Sequence, residues 1–252
     1  MRLLKIFYLN ISFYFLFVVA SLICIPILAL VVAFLRPFSY RRDTMRRVRR
    51  FINLYGRIIA WLPFPLVRVY YEDHSGGSGG GPYIFVCNHR STSDAFLIAY
   101  LPVELVQVVN VWPFHIPILG ICARLAGYLD INSIGHETFF LDAARLLEQG
   151  VSIVFFPEGT RSASKTMGNF HGAAFRLALE TKLPIVPLCI SGTENIPQKG
   201  SLLLHPGVIR IRRLPEVPGK EAHNLGAYAL KNMVRNMISR ELSLMEGMEG
   251  SA

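Results

Sequence analysis

The sequence predicts an α/β fold in which helices flank a mixed, twisted sheet, preceded by a hydrophobic membrane-anchoring helix or helical hairpin. Runs rich in β-branched and aromatic residues alternate with helical patterns along most of the chain, which is typical of a sheet covered by helices. The first 35 residues include a long uncharged stretch. Of the 252 residues, 52% are hydrophobic and 17% are charged, whereas a water-soluble domain carries about 25% charged residues. We therefore expect part of the chain to contact lipid.

The uncharged stretch covers residues 6–35, between Lys5 and Arg36. As one helix it would measure roughly 45 Å, which exceeds the ~30 Å hydrocarbon core of a bilayer. It is too long for a cleaved signal peptide and lacks a small-residue cleavage site. Because Pro26 can kink or break a helix, two arrangements remain open: one spanning helix, or a helical hairpin lying in one leaflet.

An arginine-rich belt follows this stretch. Of the formal net charge of +9, residues 36–57 contribute +7, from eight arginines and Asp43. Such a belt favours a cytoplasmic location of the chain that follows it. Each arginine near the membrane surface adds roughly 1 kcal/mol of attraction to anionic headgroups. Nucleic acid is a poor alternative, because its binding proteins rarely join a basic stripe to a long uncharged segment. We therefore predict a membrane anchor with its basic belt in residues 1–57 and an α/β domain in residues 58–252, with membrane lipids but no nucleic acid as partners.

The α/β domain is predicted to contain six strands and four helices. The predicted strands are residues 67–71, 83–87, 106–111, 151–156, 185–190 and 208–213, and the predicted helices are residues 94–101, 136–149, 172–181 and 224–244. This alternation indicates a largely parallel or mixed sheet. The four cysteines lie in apolar stretches and form no CxxC pair. This pattern predicts buried, reduced thiols. The seven histidines lack metal-ligand spacing, so no metal site is predicted.

The first candidate site is the motif NHRSTSD at residues 88–94. It joins two apolar runs, which predicts a strand, a turn and a helix capped by Ser91, Thr92 or Ser93. His89 would lie at the strand exit and Asp94 in the first helical turn, where the helix dipole favours a carboxylate. A continuous helix would place their side chains about 140° apart, whereas a turn after His89 can bring them together.

A histidine paired with a carboxylate suits general-base catalysis. The neutral imidazole accepts a proton from a hydroxyl group, and the carboxylate fixes the ring tautomer and stabilises the imidazolium that forms. A substrate that brings its own hydroxyl makes a serine nucleophile unnecessary. For an isolated HxxxxD motif, purely structural roles of His89 and Asp94 are the alternative.

The second candidate site is the motif FPEGTRS at residues 156–162. Gly159 permits a tight backbone path that can turn neighbouring N–H groups towards an anion. Arg161 offers a planar fork that suits phosphate oxygens. By itself the motif is equally compatible with a strand-to-loop turn that carries a surface ion pair.

HxxxxD followed some 65 residues later by FPEGTRS resembles the glycerolipid acyltransferase family, typified by 1-acyl-sn-glycerol-3-phosphate acyltransferases. The sequences IPILG, GYLDINS and LPIVPL, which begin at residues 116, 127 and 183, agree with weaker blocks of that family. The resemblance covers residues 67–213. It implies a membrane-bound enzyme, without a cofactor, that moves a fatty acyl group from acyl-CoA or acyl-carrier protein to a lysolipid hydroxyl. The implied acceptor is 1-acylglycerol 3-phosphate and the product is phosphatidic acid, a step of phospholipid biosynthesis.

The resemblance also implies roles for single residues. His89 would be the general base and Asp94 would orient it, while Glu158, Gly159, Thr160 and Arg161 would bind the acceptor. Residues 58–252 would then be the catalytic domain. We expect it on the cytoplasmic face of a membrane, in a bacterium the inner membrane.

Three positions depart from the family's pattern. Asn110, Ser133 and His171 stand where family members commonly carry cations near the acceptor site, and Lys165 could compensate. The departures leave open a less anionic acceptor, such as a lyso-aminolipid, a lysophosphodiester or a specialised lipid. Hydrolysis of the acyl thioester, in which water replaces the acceptor hydroxyl, is a further alternative.

Overall fold

The structure, a computed structural model, describes residues 1–35, 41–77, 80–110, 115, 117–131, 135–162 and 166–249. Two long helices come first, α1 (Arg2–Leu35) and α2 (Arg41–Trp61). Strands and helices then alternate: β1 (Val67–Asp73), β2 (Ile84–Cys87), α3 (Asp94–Leu97), β3 (Leu105–Val109), α4 (Pro117–Ala126), β4 (Leu129–Asp130), α5 (His136–Glu148), β5 (Ser152–Phe155), α6 (Ala173–Thr181), β6 (Ile185–Ser191), β7 (Gly207–Arg213) and α7 (Gly219–Glu249). A 3-10 turn, Ile98–Tyr100, extends α3.

The strands form one seven-stranded sheet in the order β1-β7-β6-β2-β5-β3-β4. Neighbouring strands are parallel except β6 and β7, which are antiparallel. This mixed sheet with flanking helices confirms the predicted fold class, and all six predicted strands are present. The seventh strand, β4, is absent from the prediction because two residues are too few to show a strand pattern.

Both faces of the central strands are buried. In β2, Ile84 and Val86 belong to the cluster beneath α5, α6 and α7, whereas Phe85 and Cys87 belong to the cluster beneath α3 and part of α1. This explains why the central strands read as continuous apolar runs rather than as alternating ones. Helix α7 is longer than predicted and is kinked at Gly226, where φ is 73°.

Helix α1 runs without a break through Pro26, so the hairpin that a break at Pro26 would form is absent. By length and composition, its residues Arg2–Phe34 could cross a membrane. One side of α1 lies along the rest of the protein. The Asn10 side chain donates to Leu204 O and accepts from Leu204 N, both at 2.9 Å, and Ser21 Oγ lies 2.8 Å from Tyr55 Oη of α2.

The arginine-rich belt is largely helix α2, which the sequence analysis did not predict. Several of its arginines bond inside the protein. Arg42 and Arg49 donate to the Glu104 carboxylate at 2.7 and 3.0 Å, and Arg57 Nε donates to Ala99 O at 2.6 Å. The belt is therefore not a uniform surface for lipid headgroups. The predicted boundary at residue 57 falls within α2, and Arg36 lies outside the described residues.

Candidate active site

The two motifs meet because they follow neighbouring parallel strands. β2 and β5 pair with Val86 opposite Phe155, so residues 88–94 and 156–162 leave the sheet at the same edge. β6 pairs with the other side of β2, and the loop of residues 192–200 reaches the same place. Ligands of open α/β sheets bind at this carboxyl edge of the strands.

The structure brings His89 and Asp94 together. His89 Nδ1 lies 2.9 Å from Asp94 Oδ2, and the N–H groups of Arg90 and Ser91 donate to the same oxygen at 2.7 and 2.8 Å. Asp94 is fully buried. A carboxylate held in this way favours the tautomer in which Nδ1 carries the proton, which leaves Nε2 as the ring nitrogen able to accept one.

Of the three predicted capping residues, Ser91 accepts a backbone N–H at the start of α3, because its Oγ lies 3.2 Å from Ser93 N. Ser93 occupies the N-cap position without a side-chain cap hydrogen bond. Ser91 Oγ donates to Ile196 O at 2.8 Å, and Thr92 Oγ1 accepts from Arg161 Nη1 at 2.8 Å. These hydroxyls tie the His89 turn to the loop after β6 and to the second motif, which a local capping argument could not anticipate.

Glu158 supports His89 from inside the protein. Its Oε1 accepts from His89 N and its Oε2 from Gly168 N, each at 2.8 Å, and Ser162 Oγ also donates to Oε2. Ser162 N donates to His89 O at 2.8 Å, so the second motif holds both backbone groups of His89. Glu158 is buried and does not line the cavity of the site. Glu158 therefore lies behind His89, outside the cavity wall.

The rest of the second motif faces the cavity. Gly159, Thr160 and Arg161 all line it. Gly159 has a φ of 69°, which strains any other residue, and a Cβ there would lie 3.1 Å from the His171 ring, which would have to move by a few tenths of an ångström. Arg161 keeps its guanidinium in the cavity wall through its bond to Thr92.

Lys199 is a cation of the site that the sequence analysis missed. Its Nζ donates to Arg161 O at 2.7 Å and lies 3.4 Å from Thr160 Oγ1. Lys199 and Arg161 line the same cavity, and among the described residues neither forms an ion pair with a carboxylate. No sequence pattern marks this lysine, because only the fold brings its loop to the motifs.

Of the positions that depart from the family's pattern, the structure describes two, and both lie at the cavity. Asn110 and His171 line the cavity, as does Arg176, a further basic side chain. Ser133 and Lys165 lie outside the described residues. Within the part of the chain that the structure describes, no three His, Cys, Asp or Glu side chains are grouped so that they could hold a metal ion.

The cavity has a volume of about 1210 Å³ and joins the two motifs to a space bordered by α2, α4 and β3, where charged side chains such as Arg46, Arg50 and Glu104 also line it. The apolar walls include Ile52, Tyr55, Phe96, Leu101, Cys122 and Ala126. Burial raises the pKa of the Cys122 thiol to about 11 and that of the Tyr128 phenol to about 12, as expected where little water reaches a group.

Comparisons with known proteins show which family the chain resembles as a whole. A family model described as Acyltransferase matches residues 67–191. A 1-acyl-sn-glycerol-3-phosphate acyltransferase of Limnanthes alba is 31% identical over 219 residues, which are 84% of this chain and 76% of that protein. The human 1-acyl-sn-glycerol-3-phosphate acyltransferase alpha is 31% identical over 64% of this chain and 60% of its own length. The crystal structure of the 1-acyl-sn-glycerophosphate acyltransferase PlsC of Thermotoga maritima shares the fold, with a TM-score of 0.79, 22% identity and 98% coverage of both chains.

Proposed function

Because the chain belongs to the acyltransferase family, we propose that it esterifies the free hydroxyl of 1-acylglycerol 3-phosphate with a fatty acyl group from acyl-CoA or acyl-carrier protein. The product would be phosphatidic acid. The observation that carries this proposal is the His89–Asp94 pair beside a cavity whose walls include apolar side chains of α2, α3 and α4. The names of the relatives, 1-acyl-sn-glycerol-3-phosphate acyltransferases, support the same reaction.

In the proposed mechanism, His89 Nε2 takes the proton of the acceptor hydroxyl while the hydroxyl oxygen attacks the thioester carbonyl carbon. The tetrahedral oxyanion then collapses, the C–S bond breaks, and the imidazolium gives its proton to the departing thiolate. His89 is neutral again after one turnover. Asp94 remains ionised throughout, because its part is to orient the ring and stabilise the imidazolium.

The acceptor phosphate would bind at Arg161 and Lys199. Both cations line the cavity that His89 lines, and the bond from Lys199 Nζ to Arg161 O keeps them adjacent. An anionic headgroup is favoured there because the described structure sets no carboxylate against either of them. These cations weaken the case for a less anionic acceptor, which the departures at Asn110 and His171 raise.

We further propose that α1 lies in the membrane interface, with the catalytic domain on the cytoplasmic face. Leu9 and Leu28 are each 1% exposed and lie about 28 Å apart along the helix axis. An upright helix would carry the protein surface between those points into the hydrocarbon core. The side of α1 that faces away from the protein carries exposed apolar residues, among them Leu4, Phe7, Phe15 and Leu22, which lipid would cover.

The proposed function is tested with the purified full-length protein in detergent. Radiolabelled acyl-CoA and acyl-carrier protein are offered with lysophosphatidate, a zwitterionic lysophospholipid, a lyso-aminolipid and monoacylglycerol. We expect phosphatidic acid as the main product, with at least about 10³-fold less from the His89→Ala variant, because that variant lacks the base. The matched control is His223→Ala, which changes an exposed histidine of α7 that does not line the cavity.

Three results would contradict the proposal, each in its own way. Near-normal turnover by His89→Ala would exclude His89 as the base. Preference for a lyso-aminolipid or another less anionic acceptor would change the substrate but keep the chemistry. Release of free fatty acid with every acceptor would identify a hydrolase instead.

A further inference from the structure

Helix α7 contacts both loops of the active site, although among its described residues none lines the cavity. The first contact involves Arg90, the residue after the proposed base. The Arg90 side chain is 4% exposed, and its Nη1 donates to Glu194 Oε1 at 2.9 Å and to Glu246 Oε1 at 2.5 Å. Glu246 lies in the last turns of α7. A buried guanidinium between two carboxylates is held strongly, because losing a partner leaves charge in the protein interior.

The second contact reaches the other motif. Arg235 of α7 donates from Nε to Gly168 O at 3.1 Å and from Nη2 to Met167 O at 3.0 Å. Gly168 N in turn donates to Glu158 Oε2, and Glu158 Oε1 accepts from His89 N, each at 2.8 Å. This series of hydrogen bonds ends at the backbone of His89.

The helix that carries both contacts is firmly seated. Leu230, Val234, Ile238, Leu242 and Met245 recur at helical spacing and are at most 3% exposed within the main core. Their burial fixes α7 against β6 and α6. Arg235 and Glu246 therefore project from a rigid support, which is the arrangement that keeps catalytic side chains in place.

We infer that α7 positions the His89 turn, with Glu246 acting through Arg90 and Arg235 acting through Gly168 and Glu158. The inference rests on the proposed function only in taking His89 as the base. Weakening either contact lets the His89 backbone shift without removing any group that touches the substrate. A displacement of about 1 Å can cost up to about 100-fold in rate, so the loss should appear in kcat and leave KM nearly unchanged.

The test compares Glu246→Gln with Glu241→Gln in the full-length protein. Glu241 is the matched control, because it also lies on α7 and forms an ion pair, with Arg212, that does not lead to the site. We expect Glu246→Gln to lower kcat about tenfold with the KM of both substrates within about twofold. Glu241→Gln should lower Tm by about as much as Glu246→Gln does, but its kcat should stay near normal. Equal kcat values for the two variants would overturn the inference.

A readout that does not depend on turnover separates this inference from the proposed function. Hydrogen–deuterium exchange of a peptide spanning residues 88–94 should be faster in Glu246→Gln and unchanged in Glu241→Gln. Unchanged exchange in both variants would overturn the positioning role even if the wild-type protein is a good acyltransferase. Faster exchange in a protein that forms no ester would support the positioning role and contradict only the proposed function.

Two further variants keep the test decisive if Glu246→Gln folds poorly. Arg235→Met should lower kcat, whereas Arg240→Met, which changes an exposed arginine of α7, should not. Arg90→Lys, which keeps the positive charge, should retain more activity than Arg90→Met. If both Arg90 variants lower Tm but keep near-normal kcat, as Glu241→Gln is expected to do, the contact is merely structural.

Discussion

Asp94 accepts three hydrogen bonds on one carboxylate oxygen, which makes its charge the most direct test of the proposed pair. Asp94→Asn keeps the size of the side chain but replaces the carboxylate with an amide, which cannot stabilise an imidazolium and can select the wrong tautomer. We expect kcat to fall by about 10³-fold or more. Steady-state kinetics measure the loss, and circular dichroism confirms the fold. A loss of less than tenfold would remove Asp94 from the mechanism.

Lys199 is the residue through which the acceptor headgroup can be tested. Lys199→Met keeps the apolar stem and removes the charge beside Arg161. We expect the KM for lysophosphatidate to rise about tenfold, the value of a hydrogen bond to a charged group, while the KM for monoacylglycerol, if it is used, stays the same. The control is Lys231→Met on α7, away from the cavity. An unchanged KM in Lys199→Met would place the phosphate elsewhere.

The sequence predicts a contact between two side chains best when the two residues are close together in the chain. His89 and Asp94 are five residues apart, so a strand, a turn and a helix were enough to bring them together. Lys199 reaches Arg161 from a separate loop, and only the sheet order explains that approach. The resemblance implies that Glu158 binds the acceptor, and its bonds to His89, Ser162 and Gly168 depend on a backbone path that the sequence does not reveal.

Among the elements, helix α2 has an amphipathic pattern that its many arginines obscure. Val48, Ile52, Tyr55 and Ile59 are buried at intervals of four, three and four residues, the spacing of an amphipathic helix. The same segment is rich in arginine, and this composition predicts a basic surface rather than a packed helix. The strands were easier, since a run buried on both faces is apolar at every position.

The ion pairs of Arg42 and Arg49 with Glu104 join α2 to the loop before β3, and this ion cluster should make stability depend on pH. Burial pushes the pKa of Glu104 upwards, but hydrogen bonds and charges from Arg42 and Arg49 outweigh it, so the pKa is lowered. A lowered pKa stabilises the fold above the unfolded value of about 4.5 and ceases to do so as the pH falls through the folded value. Glu104 should therefore contribute at neutral pH and lose that contribution in acid.

Glu104→Gln tests this contribution. At pH 7 we expect the variant to melt on the order of 5 °C lower than the wild type, because Arg49, with a side chain only 5% exposed, loses its charged partner. The difference should shrink as the pH falls below about 4. Thermal unfolding in detergent across this range measures it, with Glu148→Gln, a change at an exposed residue of α5, as the control. A difference that is independent of pH would contradict the role given to the ion cluster.

For the whole molecule, the contacts of α1 decide how the enzyme meets its lipid substrate. The helix is joined near its start to the loop before β7, through Asn10 with Leu204 and Tyr14 with Leu202. Farther along, it is joined to α2 through Ser21 and Tyr55. Leu202 itself is 75% exposed, so the apolar side of α1 continues onto the catalytic domain. A surface of this shape can lie on one leaflet, where lysolipids reside.

The position of the two chain ends distinguishes this arrangement from a spanning helix. If α1 lies in the interface, an epitope tag before Met1 and a second tag after Ala252 should both be exposed on the cytoplasmic side, because no segment crosses the bilayer. Protease digestion of sealed right-side-out and inside-out vesicles measures this, with a periplasmic protein as the control for sealing. Both tags should be removed only in inside-out vesicles. Removal of the N-terminal tag alone in right-side-out vesicles would instead show that α1 crosses the membrane, and the contacts at Asn10 and Ser21 would then have to break on insertion.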